Sequence, residues 1–288
     1  MLLSLSRFCV IIEHMKIRKA RYRFFFGLKC ACLLVCSCAL CYSLYQIVNW
    51  YIDSVNTKTI AVSATEDADI TEVADNENTE VIESDDGPES PYWKFLNMSL
   101  LDVDLNELRK TNPDIKGWVK VEGTNVNYPF MQTTDNEYYL HHSLDRSWND
   151  AGWVFADFRT RFDNTDKNTI IYAHGRYDNT MFGSLREVSH NNWLNTPSNF
   201  VIRTVSDTEM SMWQVFSAYH IPTTSDYIRT SFSSDADFGN FVNMLKDRSF
   251  HDFGTTVSAT DRILTLSTCY NDYERAVIHA KLIKRAAR

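Results

Sequence analysis

The feature that most limits what this chain can become lies near its start. Residues 30–48 read CACLLVCSCALCYSLYQIV, nineteen positions without a charge. Apolar residues at 24–28 and 50–52 extend the run, with Lys29 its only charge. A helix needs about 20 apolar residues to cross the hydrocarbon core of a bilayer. The flanks differ in sign. Lys16, Arg18, Lys19, Arg21 and Arg23 precede the run, and Asp53 and a long acidic stretch follow it. Positive charge on the N-terminal flank predicts that this flank stays in the cytoplasm and that the rest of the chain lies outside. A cleaved signal peptide would show a small-residue cleavage site, and none stands before Trp50. The reading is therefore a basic cytoplasmic N-terminus at 1–23 and an uncleaved anchor at 24–52. Met15 opens a stretch that would itself make a good start, so residues 1–14 read as an upstream extension.

The net charge of -8 is unevenly spread. Residues 1–52 carry seven Lys/Arg and one acidic residue, whereas 53–91 carry twelve Asp/Glu and one Lys. The remainder is close to neutral, which gives no basic surface for nucleic acid. Residues 53–91 also lack any aromatic residue. Such composition predicts a disordered, self-repelling tether. The cysteines divide the chain in the same way. Six of the seven lie within the first 41 residues, and Cys269 stands alone in the rest. No disulfide can form within the globular part. The CxC spacings sit in the apolar run, where Cys behaves as a small hydrophobe.

From residue 92 onward the sequence reads as one globular domain, 92–288, expected to be monomeric. Asp104 and Glu107 have the form of a helix capping box, and the helix should stop before Pro113. β-branched or alternating runs follow at 118–121, 126–131, 153–155, 169–173, 200–205, 212–219, 262–267 and 276–283. Short strands separated by turns predict a mainly β barrel or sandwich. Phe238, Phe241, Val242 and Leu245 recur at helical spacing, with Ser234 or Asp235 as cap. The combined expectation is a β-barrel with peripheral helices.

Two strand ends carry candidate chemistry. Residues 263–269 form an apolar run that delivers Cys269 to its end, and Arg275 opens the next strand. A thiol near a guanidinium is favoured as the reactive thiolate. Residues 170–175, IIYAHG, end a second strand on His174 before a glycine, and imidazole is the usual proton carrier at neutral pH. A lone cysteine or histidine is more often a packing residue. His141, His142, His190, His220, His251 and His279 are read that way. Residues 92–288 show no zinc-type ligand spacing and no EF-hand pattern, so neither metal nor cofactor is expected.

TLSTC at 265–269 followed by Arg275, with YAH at 172–174 upstream, resembles the sortases, and the similarity is closest to class B. NPDIKGW at 112–118, GTNVNYP at 123–129, DNEYYL at 135–140, GWVFAD at 152–157 and DNTMFG at 178–183 support it. The resemblance spans roughly 95–288. It implies a closed eight-stranded barrel and a membrane-anchored transpeptidase that cleaves a C-terminal sorting signal of secreted proteins. The acyl group passes through a thioester to the amine of a lipid-linked cell-wall precursor, which anchors the protein to peptidoglycan. In those terms Cys269 is the nucleophile, His174 the proton carrier and Arg275 the stabiliser of the carbonyl oxygen. Asn127, Met131, Tyr172, Thr223, Tyr227, Ile228 and Ser267 would contact the peptide. Ala173 stands where the family usually has glycine, and Tyr270 where an acidic residue sometimes follows the cysteine. No Asp-Pro occurs, so the lid of pilin-polymerising enzymes is absent. Two other readings fit the bare residues: a tethered cysteine hydrolase that uses water, and a non-catalytic β-barrel binding module.

Overall fold

The computed structural model describes residues 2–271 and 273–288. The side chains of residues 2–14 and 20 lie outside that description, and with them Cys9 and the reading of 1–14 as an extension. The chain divides into two compact units, residues 1–52 and 53–288. The first belongs to a long helix, α1 (Leu2–Asp67). From Met15 onward this helix is long and apolar enough to cross a membrane.

In chain order, β1 (Thr71–Val73), β2 (Thr79–Val81), α2 (Tyr92–Phe95), β3 (Leu100–Asp102) and α3 (Leu105–Thr111) come next. Then follow β4 (Ile115–Val121), β5 (Asn127–Met131), β6 (Phe155–Ala156), β7 (Asn168–Tyr172) and α4 (Asn191–Leu194). The chain closes with β8 (Val201–Ser206), β9 (Glu209–Pro222), α5 (Asp235–Asp247), β10 (Ile263–Cys269) and β11 (Glu274–Ala287). Strands pair in the order β10-β7-β6-β5-β4-β8-β9-β11, and β11 returns to β10. Eight strands therefore form a closed barrel, which leaves none of them with an open edge. The expected fold class is the observed one. Each of the eight runs read as strands falls on one barrel strand.

Two apolar layers explain why strands such as β10 are buried on both faces rather than alternating. Leu264 and Leu266 of β10 point with Ile278 and Ala280 of β11 into the main core inside the barrel. On the outer face, Ile263 and Val277 pack with Phe216, Tyr219 and Tyr227 beneath Phe238, Phe241, Val242 and Leu245 of α5. Ser234 caps α5 by accepting from Asp237 N at 3.1 Å. Asp104 caps α3 by accepting from Asn106 N and Glu107 N, both at 3.0 Å.

The segment 53–91 differs from the expected tether. The end of α1 packs Ala64 into the main core, together with Ala68 just beyond it, and Ile60, Ala61, Ile70, Val73 and Ile82 lie against that core. β1 pairs with β3, and β2 adds to the far end of β11 with Lys284 opposite Val81. The physical reason is spacing. A few apolar residues recur where they can face the barrel while most of the carboxylates, Asp86 excepted, stay outside, so average composition concealed them.

Candidate active site

The site is built on the ladder β7–β10–β11. β10 runs parallel to β7 with Ser267 opposite Tyr172. Two residues further along each chain, on the same faces, stand Cys269 and His174. On the other side β11 is antiparallel and sets Arg275 directly opposite Cys269. Histidine, cysteine and arginine thus occupy one row across three adjacent strands.

Local chemistry holds that row in place. Gly175 follows His174 because nothing larger fits: a Cβ there would lie 2.0 Å from the Cys269 carbonyl oxygen. The DNTMFG segment returns to the same turn. Phe182 N donates to the His174 carbonyl at 3.0 Å, and Arg186 donates to the Gly175 carbonyl at 2.5 Å. The His174 ring places Nε2 2.8 Å from the carbonyl oxygen of Leu140. A carbonyl only accepts, so Nε2 carries the proton and Nδ1 is the basic atom. Burial pushes the His174 pKa below the ordinary imidazole value, and the nearby charge of Arg275 acts in the same direction. The resting ring is therefore neutral at neutral pH. The Arg275 side chain makes no hydrogen bond or ion pair with another described residue, and it lines the cleft beside Cys269.

The row opens into a cleft of about 390 Å³. Tyr172, Tyr227, Ile228 and Ser267 line it together with His174, Cys269 and Arg275, and Asn136, Leu140, Phe155, Ala173, Thr224 and Thr268 complete the lining. Tyr227 and Ser267 are joined hydroxyl to hydroxyl at 2.9 Å. Three expected contacts lie elsewhere. Met131 is fully buried in the main core, where it pairs with Phe155 across β5 and β6. The Asn127 side chain is engaged by Trp118, whose Nε1 donates to its Oδ1 at 2.8 Å. Thr223 donates through its backbone N to the Tyr273 carbonyl at 3.1 Å, and its neighbour Thr224 faces the cleft instead. Asn136, Leu140 and Phe155 went unread, although all three lie in the DNEYYL and GWVFAD motifs. Among the described residues no group of His, Cys, Asp or Glu is placed to hold a metal ion.

Among the remaining histidines, His279 shows a clear structural role. His279 is fully buried on β11 between Thr265 Oγ1 and Tyr219 OH, both at 2.9 Å. Burial pushes its pKa down to about 3, so it stays neutral.

A strand-end thiol, a neutral imidazole and a guanidinium at the mouth of a cleft form the layout of a cysteine-dependent acyl-transfer enzyme. Comparison with known proteins agrees. The sortase domain family model matches residues 119–283. Sortase B of Listeria monocytogenes is 36% identical over 187 residues, covering 63% of this chain and 75% of its own. The structure of a Staphylococcus aureus sortase B–substrate complex is 38% identical with a TM-score of 0.58, covering 62% of this chain and 84% of that one. Sortase B from B. anthracis superposes with a TM-score of 0.65 at 29% identity, covering 81% and 99%. The chain belongs to the sortase family of cysteine transpeptidases, in its class B.

Proposed function

We propose that this protein joins secreted proteins to the cell wall through a thioester on Cys269. The single observation that carries the assignment of roles is the row His174–Cys269–Arg275. In this reading a sorting-signal peptide lies in the cleft with its scissile carbonyl over Cys269. His174 Nδ1 takes the thiol proton as sulfur attacks. Negative charge then develops on the carbonyl oxygen, and the Arg275 guanidinium stabilises it. His174 returns the proton to the departing amine, and the thioester remains. An amine of a cell-wall precursor gives its own proton to His174 and attacks the thioester. A new amide forms and the Cys269 thiol is restored. The partial burial of His174 suits this cycle, because a neutral ring is ready to accept a proton. The flanking charges support an orientation with residues 1–23 in the cytoplasm, 24–52 spanning the membrane and the catalytic unit outside.

Cleavage of a sorting-signal peptide, with and without an added amine, tests the assignment by mass spectrometry. The wild-type protein should show the N-terminal peptide fragment as a thioester on Cys269. Cys269→Ala and His174→Ala should each reduce turnover by about 10³-fold or more. Normal turnover by Cys269→Ala would refute the proposal.

A further inference from the structure

Three walls of the cleft meet at one carboxylate that takes no part in the chemistry above. Asp157 follows β6 and is fully buried. Its Oδ2 accepts from Tyr172 OH at 2.9 Å, from Asn136 Nδ2 at 3.1 Å and from Arg159 Nη2 at 2.7 Å. Its Oδ1 accepts from Arg159 Nε at 2.8 Å and from the Arg159 backbone N at 2.9 Å. The same Arg159 Nη2 continues to the Ile228 carbonyl at 3.0 Å. Tyr172, Asn136 and Ile228 all line the cleft. They come from β7, from the loop after β5 and from the loop between β9 and α5. Burial pushes the Asp157 pKa up, but the hydrogen bonds from Arg159 and Tyr172 outweigh it and hold the carboxyl below its ordinary value. The Tyr172 phenol is pushed upward, chiefly by burial and then by the facing carboxylate, so it remains a donor. Hydrogen bonds with an ionised partner are shorter and stronger than neutral ones, which makes this junction stiff.

We propose that Asp157 is a positioning residue for peptide selection. With Arg159 it fixes the separation between Tyr172 on one side of the cleft and the Ile228 wall on the other. This rests on reading the cleft as the sorting-peptide site. The bonds described for Asp157 and Arg159 reach none of Cys269, His174 and Arg275, so their loss should disturb peptide binding and leave the thiol chemistry intact.

The test uses Asp157→Asn, which keeps shape but sets an amide N–H₂ against neighbours that are themselves donors. KM and kcat for a sorting peptide, acceptance across a peptide library, and the rate of Cys269 alkylation by iodoacetamide are measured on the folded variant. Loss of a charge-assisted hydrogen bond corresponds to roughly tenfold or more, so KM should rise by at least that factor. With the triad undisturbed, kcat should stay within about threefold of wild type, as expected when uniform binding is lost. The alkylation rate should not change, and the library should show a broader choice of side chains. Arg159, whose side chain is 39% exposed, supplies a second variant that tolerates folding well. Arg159→Gln should raise KM in the same way, and Arg159→Lys should restore it only in part because an ammonium lacks the planar fork. An unchanged KM in either folded variant would overturn the proposal. So would a fall in kcat and alkylation that tracks the rise in KM. Absence of wild-type turnover would remove the reading of the cleft itself, a result distinct from failure of the variants.

Discussion

The two ends of β11 use cationic side chains in opposite ways. At the far end Lys284 is fully buried and saturated: its ammonium donates to Asp75 Oδ1 at 2.7 Å and to the carbonyls of Leu96 and Met98. Nearby Lys281 donates to Ser84 Oγ at 3.0 Å and to the Thr256 carbonyl at 2.9 Å, with Asp261 3.4 Å away. At the cleft end Arg275 has no such partner among the described residues. A buried charge must be matched or it is costly, so the far end spends every donor on the fold. In the proposed mechanism the cleft end keeps its donors for charge that exists only while a substrate reacts.

Cutting the chain gives the hardest test of this contrast. A chain starting at Tyr92 lacks Asp75 and Ser84, and also Asp86, whose carboxylate accepts from Thr256 N at 2.6 Å. Lys284 is buried but its partner Asp75 is half exposed, so solvent screens the pair and its loss costs about 1–2 kcal/mol, less than a fully buried pair would. Denaturant unfolding should therefore show a loss of that order relative to a chain starting at Asp53. Equal stability of the two would break the comparison at its structural end. Arg275→Lys probes the other end. It should lower kcat by about 10²-fold, as loss of an oxyanion donor does, while the melting temperature stays unchanged. A melting temperature that falls with kcat would make Arg275 a structural cation like Lys284. Lys284→Met should do the reverse. It leaves two carbonyls without a donor, a loss of about 1–3 kcal/mol in stability, and the folded variant should turn over peptide at the wild-type rate.

The pH profile gives the smallest and most specific signal. In the proposed mechanism His174 acts as base in its neutral form, and burial, assisted by Arg275, lowers its pKa from the ordinary value of 6.5. The acidic limb of kcat/KM should therefore lie below that value, with activity rising as pH increases through it. Arg275→Gln removes one of the charges that depress the ring, so the limb should move upward. Arg275→Lys keeps the charge and should leave it in place. His279 supplies a control in stability. It is neutral when folded, with a pKa near 3, and it binds a proton below about 6.5 when unfolded. Stability should fall as pH drops through that window, and His279→Asn should flatten the slope without moving the activity limb.

Much of this was legible in the sequence because it rests on local pattern. Short apolar and β-branched runs between turns marked the barrel strands, and a helical stripe marked α5. Cys269 ends β10 and His174 stands two residues beyond β7, and Tyr172 and Ser267 follow from alternation back along those strands. What escaped notice depends on neighbours distant in sequence. Met131 could be assigned to core or cleft only once β6 was known to cover it. Thr223 and Thr224 follow Pro222 at the end of β9, where alternation ceases to guide, and the Tyr273 carbonyl decides which of them turns outward. Asp157 sits in a quoted motif but gains meaning only through Arg159, Tyr172 and Asn136 together. The acidic segment 53–91 was hidden by its own average, since one alanine or isoleucine per turn is enough to dock a charged chain.

The row that joins His174, Cys269 and Arg275 is aligned by backbone pairing, and such pairing changes only in whole steps. A slip of β10 by one residue against its neighbours would turn Cys269 to the opposite face and bring Thr268 into its place. No half-aligned setting lies between. A weakened β10 should therefore give a mixed population, part fully competent and part inert, rather than a uniformly slower enzyme. Titration of reactive thiol would count the competent fraction, and each counted molecule would work at full speed.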